Sequence, residues 1–349
     1  MKRPFLKYSL IAIATIALLY LAFRGQDLSK ATDAVKQAQL LPLLGGLAIM
    51  LASHFVRAIR WQIVLRPLKR KTSTWLSFKA TITGYAMNNL IPRSGELVRP
   101  YMMSRGEEIP MAGALASIVV ERIADVIALA GLMIFSLLSF ENRVTSVFPM
   151  FSGSALIALA AMLVVLLAIL ILFFSEHRTA QLVRIIGRPL PQNLREKIER
   201  VALDFSRGLR GLDKSAILPL VIGTIGIWGL YGISMYVSLQ GFTEPAMQQL
   251  NLSAAFLLLT LSGVAFTIPT PGGTGSYHAL ITTGLAMIFG VPQSVALAYA
   301  VVTHALSYIS VTLLGLGFLV SEGMSFGSAR TLKEEASADS ELEPAVADG

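Results

Sequence analysis

The chain predicts an all-α polytopic membrane protein of about six full transmembrane helices plus two re-entrant or broken helical segments. Three observations carry that reading. Hydrophobic residues make up 54% of the 349 positions and charged residues only 14%. Several apolar runs approach the roughly 20 residues that cross a bilayer. Two of the apolar segments are interrupted by the same pattern, Ile91-Pro92-x-x-Gly95 and Ile268-Pro269-x-x-Gly272. Proline removes a backbone donor and glycine removes side-chain bulk, so each motif breaks a helix in or beside the bilayer. Broken backbone persists at that depth only where protein or a water-filled cavity satisfies it.

Loop charge orders the elements. Tyr8 to Phe23 follows Lys2, Arg3 and Lys7 and resembles a signal peptide, but Leu21-Ala22-Phe23-Arg24 is a poor cleavage site, so it reads as a retained first helix. Its basic start belongs inside, which puts the mixed-charge loop 24–39 outside. Helix two, Leu40 to Leu65, returns inside to Arg66, Lys69, Arg70 and Lys71. The loop 175–214, with nine Lys/Arg against five acids, also belongs inside. Three apolar segments lie between, 75–91, 112–139 and 148–174, and three crossings would end on the wrong side. The short segment 75–91, polar at Asn88 and Asn89, is therefore expected to re-enter from the cytoplasm.

The second half is expected to mirror the first. Segment 215–239 runs outward to a loop that has Glu244 and no Lys or Arg. Segments 251–268 and 276–290 form a re-entrant hairpin, and 294–320 returns inside. Three full crossings satisfy the charge rule equally well, giving eight spans. The hairpin version is an inverted repeat, an arrangement that places transport sites where the broken segments meet. Loop 175–214 interleaves Leu182, Ile185, Ile186 and Val201 with Arg184, Arg188, Arg195 and Arg200. It reads as basic amphipathic helix at the headgroups, or as a solvated connector.

From Thr331 the tail carries six acids against Lys333 and no apolar pattern, so it is expected to be disordered. A net charge of −5 is thus set apart, leaving residues 1–330 at +13 against +8 for the whole chain. The basic excess fits loops that face an anionic leaflet and does not call for nucleic acid. Cysteine is absent, which excludes disulfides and cysteine-ligated metals. No cofactor is expected.

Candidate site residues follow from polar groups inside apolar runs. Glu121, Arg122 and Asp125 lie roughly 13 to 20 Å along segment 112–139. Glu121 and Asp125 share one face, and each ion costs about 2.5–3.5 kcal/mol near the bilayer centre unless partnered. One arginine against two acids implies that further arginines join the site, with Glu96 a partner for Arg122. The functional reading has Arg122, Arg93 or Arg99 holding phosphate; the alternative is an ion-pair network that only locks helices.

Asn88 and Asn89 either satisfy freed backbone or hydrogen-bond substrate. Gly272, Gly273, Thr274 and Gly275 open the next helix, where free N–H groups and the helix dipole suit a phosphate, or they simply break the helix. His278 and His304 either titrate or pack. Arg57-Ala-Ile-Arg60-Trp61 reads as an interfacial anchor with snorkelling arginines. His54 has no acid–base companion nearby in sequence.

In order, Arg57-Ala-Ile-Arg60-Trp61, Asn89-Leu-Ile-Pro-Arg-Ser-Gly-Glu96 with Arg99, Glu121-Arg122-Ile-Ala-Asp125 and Pro271-Gly-Gly-Thr-Gly275 resemble the flippase-like membrane domain of lysylphosphatidylglycerol synthases, the multiple peptide resistance factors. The resemblance covers about residues 5–325. It implies movement of lipids across the bilayer: aminoacylated phosphatidylglycerol in the resistance factors, polyprenyl-linked or other lipids elsewhere. The soluble aminoacyl-transfer domain of the synthases has no counterpart in these residues, so synthesis of lysyl-lipid is not implied. Many relatives carry an acid where this chain has His278.

The expected function is a flippase or scramblase-like transporter of an anionic phospholipid or lipid-linked headgroup in the cell membrane, with both termini cytoplasmic. The alternatives are a membrane transferase using Glu121 or Asp125 as base, and a non-transporting lipid-binding partner of a lipid-modifying enzyme.

Overall fold

The computed structural model describes residues 15–20, 22–25, 27–147, the helix Glu176–Ile186 and residues 214–324, with isolated positions at 13, 157, 161, 164, 192 and 195. Most of the expected span 148–174, most of loop 175–214 and the acidic tail lie outside the described residues, as do residues 8–12 at the start of the first helix. What is described is helical, with no strand.

The helices are α1 (Leu28–Gln37), α2 (Leu40–Leu65), α3 (Thr74–Leu90), α4 (Gly95–Glu107), α5 (Met111–Val147), α6 (Glu176–Ile186), α7 (Ile217–Leu239), α8 (Pro245–Gln248), α9 (Leu252–Thr267), α10 (Ser276–Thr283) and α11 (Gln293–Ser321). A π-helical turn, Gly284–Ile288, continues α10. Among the described residues, four helices are long and apolar enough to cross a membrane: α2, α5 from Gly113, α7 and α11. They coincide with four of the six expected crossings.

Three of the shorter helices, α1, α3 and α9, start where a side chain supplies a missing acceptor. Ser73 caps α3 by accepting the Leu76 N–H, and Asn251 caps α9 by accepting that of Ala254. Asp27 does the same for α1, a helix that the mixed charge of 24–39 concealed. Ala31 of α1 is buried, and Ala34 and Ala38 pack on an apolar cluster around Phe242, Leu250 and Tyr299.

α3 and α4 form an antiparallel hairpin whose register repeats about every turn. Ser73 N–H donates to Glu107 (2.6 Å), Ser77 faces Met103, Thr81 meets Arg99, and Gly84 touches Gly95. A Cβ on Gly95 would stand 1.9 Å from the Gly84 carbonyl oxygen, so only glycine admits this crossing. Lys69 pairs with Glu107 at 2.7 Å, which returns the hairpin to the end it started from. The segment is re-entrant, as loop charge required.

α9 and α10 form the second hairpin. Ser276 donates to Ala265 O (2.9 Å), and further down Gly284 lies against Leu261. Leu250 before it and Val291 after it share the cluster with Phe242 and Met247, so this hairpin also enters and leaves at one end. Its tip, at Gly272, reaches His304, which lies less than halfway along the 29-residue α11.

α5 fixes the relative direction of the two hairpins. It begins just after the first hairpin's base, and near its kink at Phe140 that ring meets Phe289 at the second hairpin's base, 5.6 Å away. α11 runs the opposite way, from Tyr299 beside Phe242 to Glu322, which pairs with Lys79 at 2.7 Å. α2 and α7 are likewise antiparallel: Ser234 bonds Gly46, Tyr231 bonds His54 and Thr224 bonds Arg60. Helix, hairpin, helix thus occurs twice with opposite orientation, and the tips meet inside. Asn89 donates to Thr312, Tyr308 donates to the Asn89 carbonyl (both 2.9 Å), and a Cβ on Gly272 would lie 2.7 Å from Asn89 Oδ1.

Candidate functional site

The sequence-derived candidates separate into a charged group beside the first hairpin and a neutral group at the tips. The charged group is built by α2, α4 and α5. α2 and α5 are antiparallel, so Arg57, Arg60 and Trp61 on one face meet Asp125, Glu121 and Ser117 on the other. Arg57 pairs with Asp125; Arg60 bridges Asp125 (3.1 Å) and Glu121 (3.3 Å) and holds Thr224 on α7 (2.8 Å). From α4, Arg99 reaches Glu121 at 2.8 Å and Thr81 at 3.3 Å. Its guanidinium lies over the Trp61 ring, 4.3 Å from the centroid, while Trp61 Nε1–H donates to Ser117 (2.8 Å).

These side chains are out of solvent: Arg60 and Glu121 are each 1% exposed and Asp125 12%. Three arginines face two carboxylates, so the network carries one uncompensated positive charge. Among the described residues the Nε atoms of Arg57, Arg60 and Arg99 are buried and find no acceptor. A buried ion without a partner is costly, and so is a buried donor. The imbalance suits an anion.

Arg57 and Arg60 correct the sequence reading. They are not interfacial anchors that reach toward headgroups; both side chains turn into the protein and are buried with Trp61. The signal was present in the spacing. Residues 57, 60 and 61 share a helix face, as do 117, 121 and 125, and the two sets are complementary in charge. The need for more arginines than Arg122 was legible, and Arg99 was already among the candidates; Arg57 and Arg60 were not.

Arg122 stands apart from the network's core. It is 41% exposed and lies 3.9 Å from Glu96, itself 46% exposed, while its Nε is buried without an acceptor. Arg93 is exposed at the first hairpin's tip with φ +65, a left-handed conformation that costs a non-glycine residue and clusters at functional sites. Asn88 accepts the Gly95 N–H at 2.8 Å and Ser94 donates to Met87 O (2.8 Å), so side chains close this break.

At the second tip, Gly272, Gly273 and Gly275 all have positive φ (+54, +76 and +90). Three of the four N–H groups expected to be free are engaged: Gly273 with Thr270 O, Thr274 with Pro271 O, Gly275 with His278 Nδ1. His304, from α11, donates to Gly272 O at 2.9 Å. His54 packs with Tyr85 and Tyr231 and stays outside both groups. No three His, Cys, Asp or Glu side chains cluster as metal ligands among the described residues.

A family model described as the lysylphosphatidylglycerol synthase TM region matches residues 8–315. The glycosyltransferase AglD of Haloferax volcanii is 24% identical over 343 residues, 92% of this chain; the match spans only about half (54%) of AglD. A UPF0104 membrane protein of Methanothermobacter thermautotrophicus is 24% identical over 309 residues, 84% of this chain and 89% of the relative. One from Methanocaldococcus jannaschii is 25% identical over 280 residues, 74% and 78%. No solved structure matches the chain.

Proposed function

The chain belongs to the lysylphosphatidylglycerol synthase transmembrane-region family, and from that premise we propose that it moves an anionic lipid headgroup across the bilayer. Family and relatives point to lipid or lipid-linked sugar processing in the membrane. The observation that carries the transport reading is the charge imbalance inside the membrane-spanning bundle: Arg57, Arg60 and Arg99 against Glu121 and Asp125, with three buried Nε–H donors unused.

A phosphate is the natural complement, since it accepts several guanidinium bonds at once. Arg122 and Arg93, half-exposed and exposed near the first tip, offer a first contact before the headgroup reaches the buried arginines. The two opposed hairpins supply the polar interior that such a path requires. Against a transferase, each carboxylate is held by two arginines, Glu121 by Arg60 and Arg99 and Asp125 by Arg57 and Arg60. Carboxylates so held make poor general bases.

The test is movement of labelled phosphatidylglycerol and polyprenyl phosphate in liposomes, wild type beside Arg122→Ala. Arg122 is half-exposed and not part of the buried lock, so the variant should fold. Its rate should fall at least about tenfold, the equivalent of one charge-assisted hydrogen bond, with the lipid chemically unchanged. A folded wild type that moves neither lipid defeats the reading; a chemically altered lipid turns it to the transferase.

A further inference from the structure

The second tip is closed by groups that carry no charge, and one of its bonds exists in a single protonation state. His278, in the first turn of α10, accepts the Gly275 N–H at Nδ1 (3.3 Å). That nitrogen must keep its lone pair, so the ring's proton sits on Nε2. On α11, His304 presents Nε2–H to the Gly272 carbonyl, which can only accept. The two rings stand near-perpendicular with centroids 4.8 Å apart.

Among the described residues, the rings facing the pair are aromatic and uncharged. Tyr277, on His278's own element, stacks on His304 at 5.3 Å, and Tyr308 of α11 lies 5.6 Å from His304. From the N-terminal helical stretch Phe23 approaches His278 at 6.4 Å. That stretch is seated on the tip itself: a Cβ on Gly275 would fall 2.9 Å from Leu18 Cβ and 3.0 Å from the Thr15 carbonyl oxygen. One bond from His278 therefore holds the residue on which the N-terminal stretch rests.

We propose that His278 and His304 form a proton-binding site that latches the second hairpin's tip. With His278 neutral, Nδ1 holds Gly275. A proton from water adds to that lone pair, leaves N–H facing N–H, and replaces the hydrogen bond with repulsion, so the tip is released. His304 keeps its Nε2–H on Gly272 throughout. A charge on one ring opposes a second charge 4.8 Å away, so the pair takes one proton at a time. The latch uses none of the charged residues beside the first hairpin, and it operates whether or not lipid is present.

The chain has no cysteine, so Thr274→Cys reports on the tip alone. Its rate with a small neutral thiosulfonate, in protein held in nanodiscs, is divided at each pH by the rate at Ser29→Cys, an exposed position on α1. That ratio cancels the ionisation of the thiol. Histidine changes charge between about pH 5 and 8. From pH 8 to pH 5 the ratio should rise about tenfold, the equivalent of one lost buried hydrogen bond. His278→Asn, whose Oδ1 accepts from Gly275 but takes no proton, should hold the ratio low at both ends. His278→Phe should hold it high at both. A flat wild type, an equal rise in His278→Asn, or a high ratio in His278→Asn at pH 8 overturns the proposal. The readout involves no lipid movement, so this inference and the transport reading fail separately.

Discussion

The two re-entrant hairpins share a plan and differ in what holds them. The first is braced by ions: Arg99 on its second arm is tied through Glu121 to Arg60, and its base is tied by Glu107 to Lys69. The second is braced by neutral bonds, Ser276 to Ala265 O and Gly273 O, His278 to Gly275, His304 to Gly272. Buried ions in low dielectric are strong only as a complete set, and losing one member strands the others. Neutral hydrogen bonds are individually modest and break singly. The first hairpin is thus a rigid charged wall, and the second is the half that a small change can release.

The sharpest way to break that contrast is Glu121→Gln. It leaves Arg60 and Arg99 short of charge in the bundle, and stability should fall by about 3–5 kcal/mol, read as the midpoint of unfolding in mixed micelles. A change under about 1 kcal/mol would mean that the network is solvated and the wall is not held by charge.

Gly95→Ala comes next. Its Cβ would meet the Gly84 carbonyl at 1.9 Å, backbone against backbone, so the arms must separate. The expected loss is about 3 kcal/mol, at the upper end for overpacking, and Arg99 should part from Thr81. At Gly273 of the second tip the nearest atoms are only the Phe266 ring, 2.5 Å away, although φ +76 already disfavours a side chain there. A stable Gly95→Ala protein would show that the first hairpin yields as readily as the second.

Ser276→Ala should have the smallest effect. It removes hydroxyl bonds to Ala265 O and Gly273 O at the second tip, and the cost should be about 1 kcal/mol with the fold intact. A loss comparable to that of Glu121→Gln would erase the distinction between the halves.

Much of this contrast is legible in the amino-acid sequence. The breaks at Pro92 and Pro269 marked both tips, and charge parity required the first hairpin to re-enter. It also placed loops 24–39 and 240–250 at one end, where Gln39 N–H now donates to Gly241 O at 2.7 Å. Arg57 and Arg60 were misread because a basic pair near the end of an apolar helix has the same local pattern whether it snorkels outward or turns inward. α1 was missed because its polar faces resemble a loop when the small buried patch at Ala31 is unknown.

Local sequence settles which segments are apolar, where they must break, and that the acids of segment 112–139 need more arginines than one. Those properties are local: hydrophobic length, the missing donor of proline, and the cost of an unpaired ion each act within a few residues. Only packing brings Arg57, Arg60 and Arg99 to those acids, joins the hairpins through Asn89 and Gly272, and sets His278 Nδ1 against the Gly275 N–H. Each of those depends on a partner brought close by the packing of antiparallel helices or by the turn of a helix tip. No local pattern names that partner.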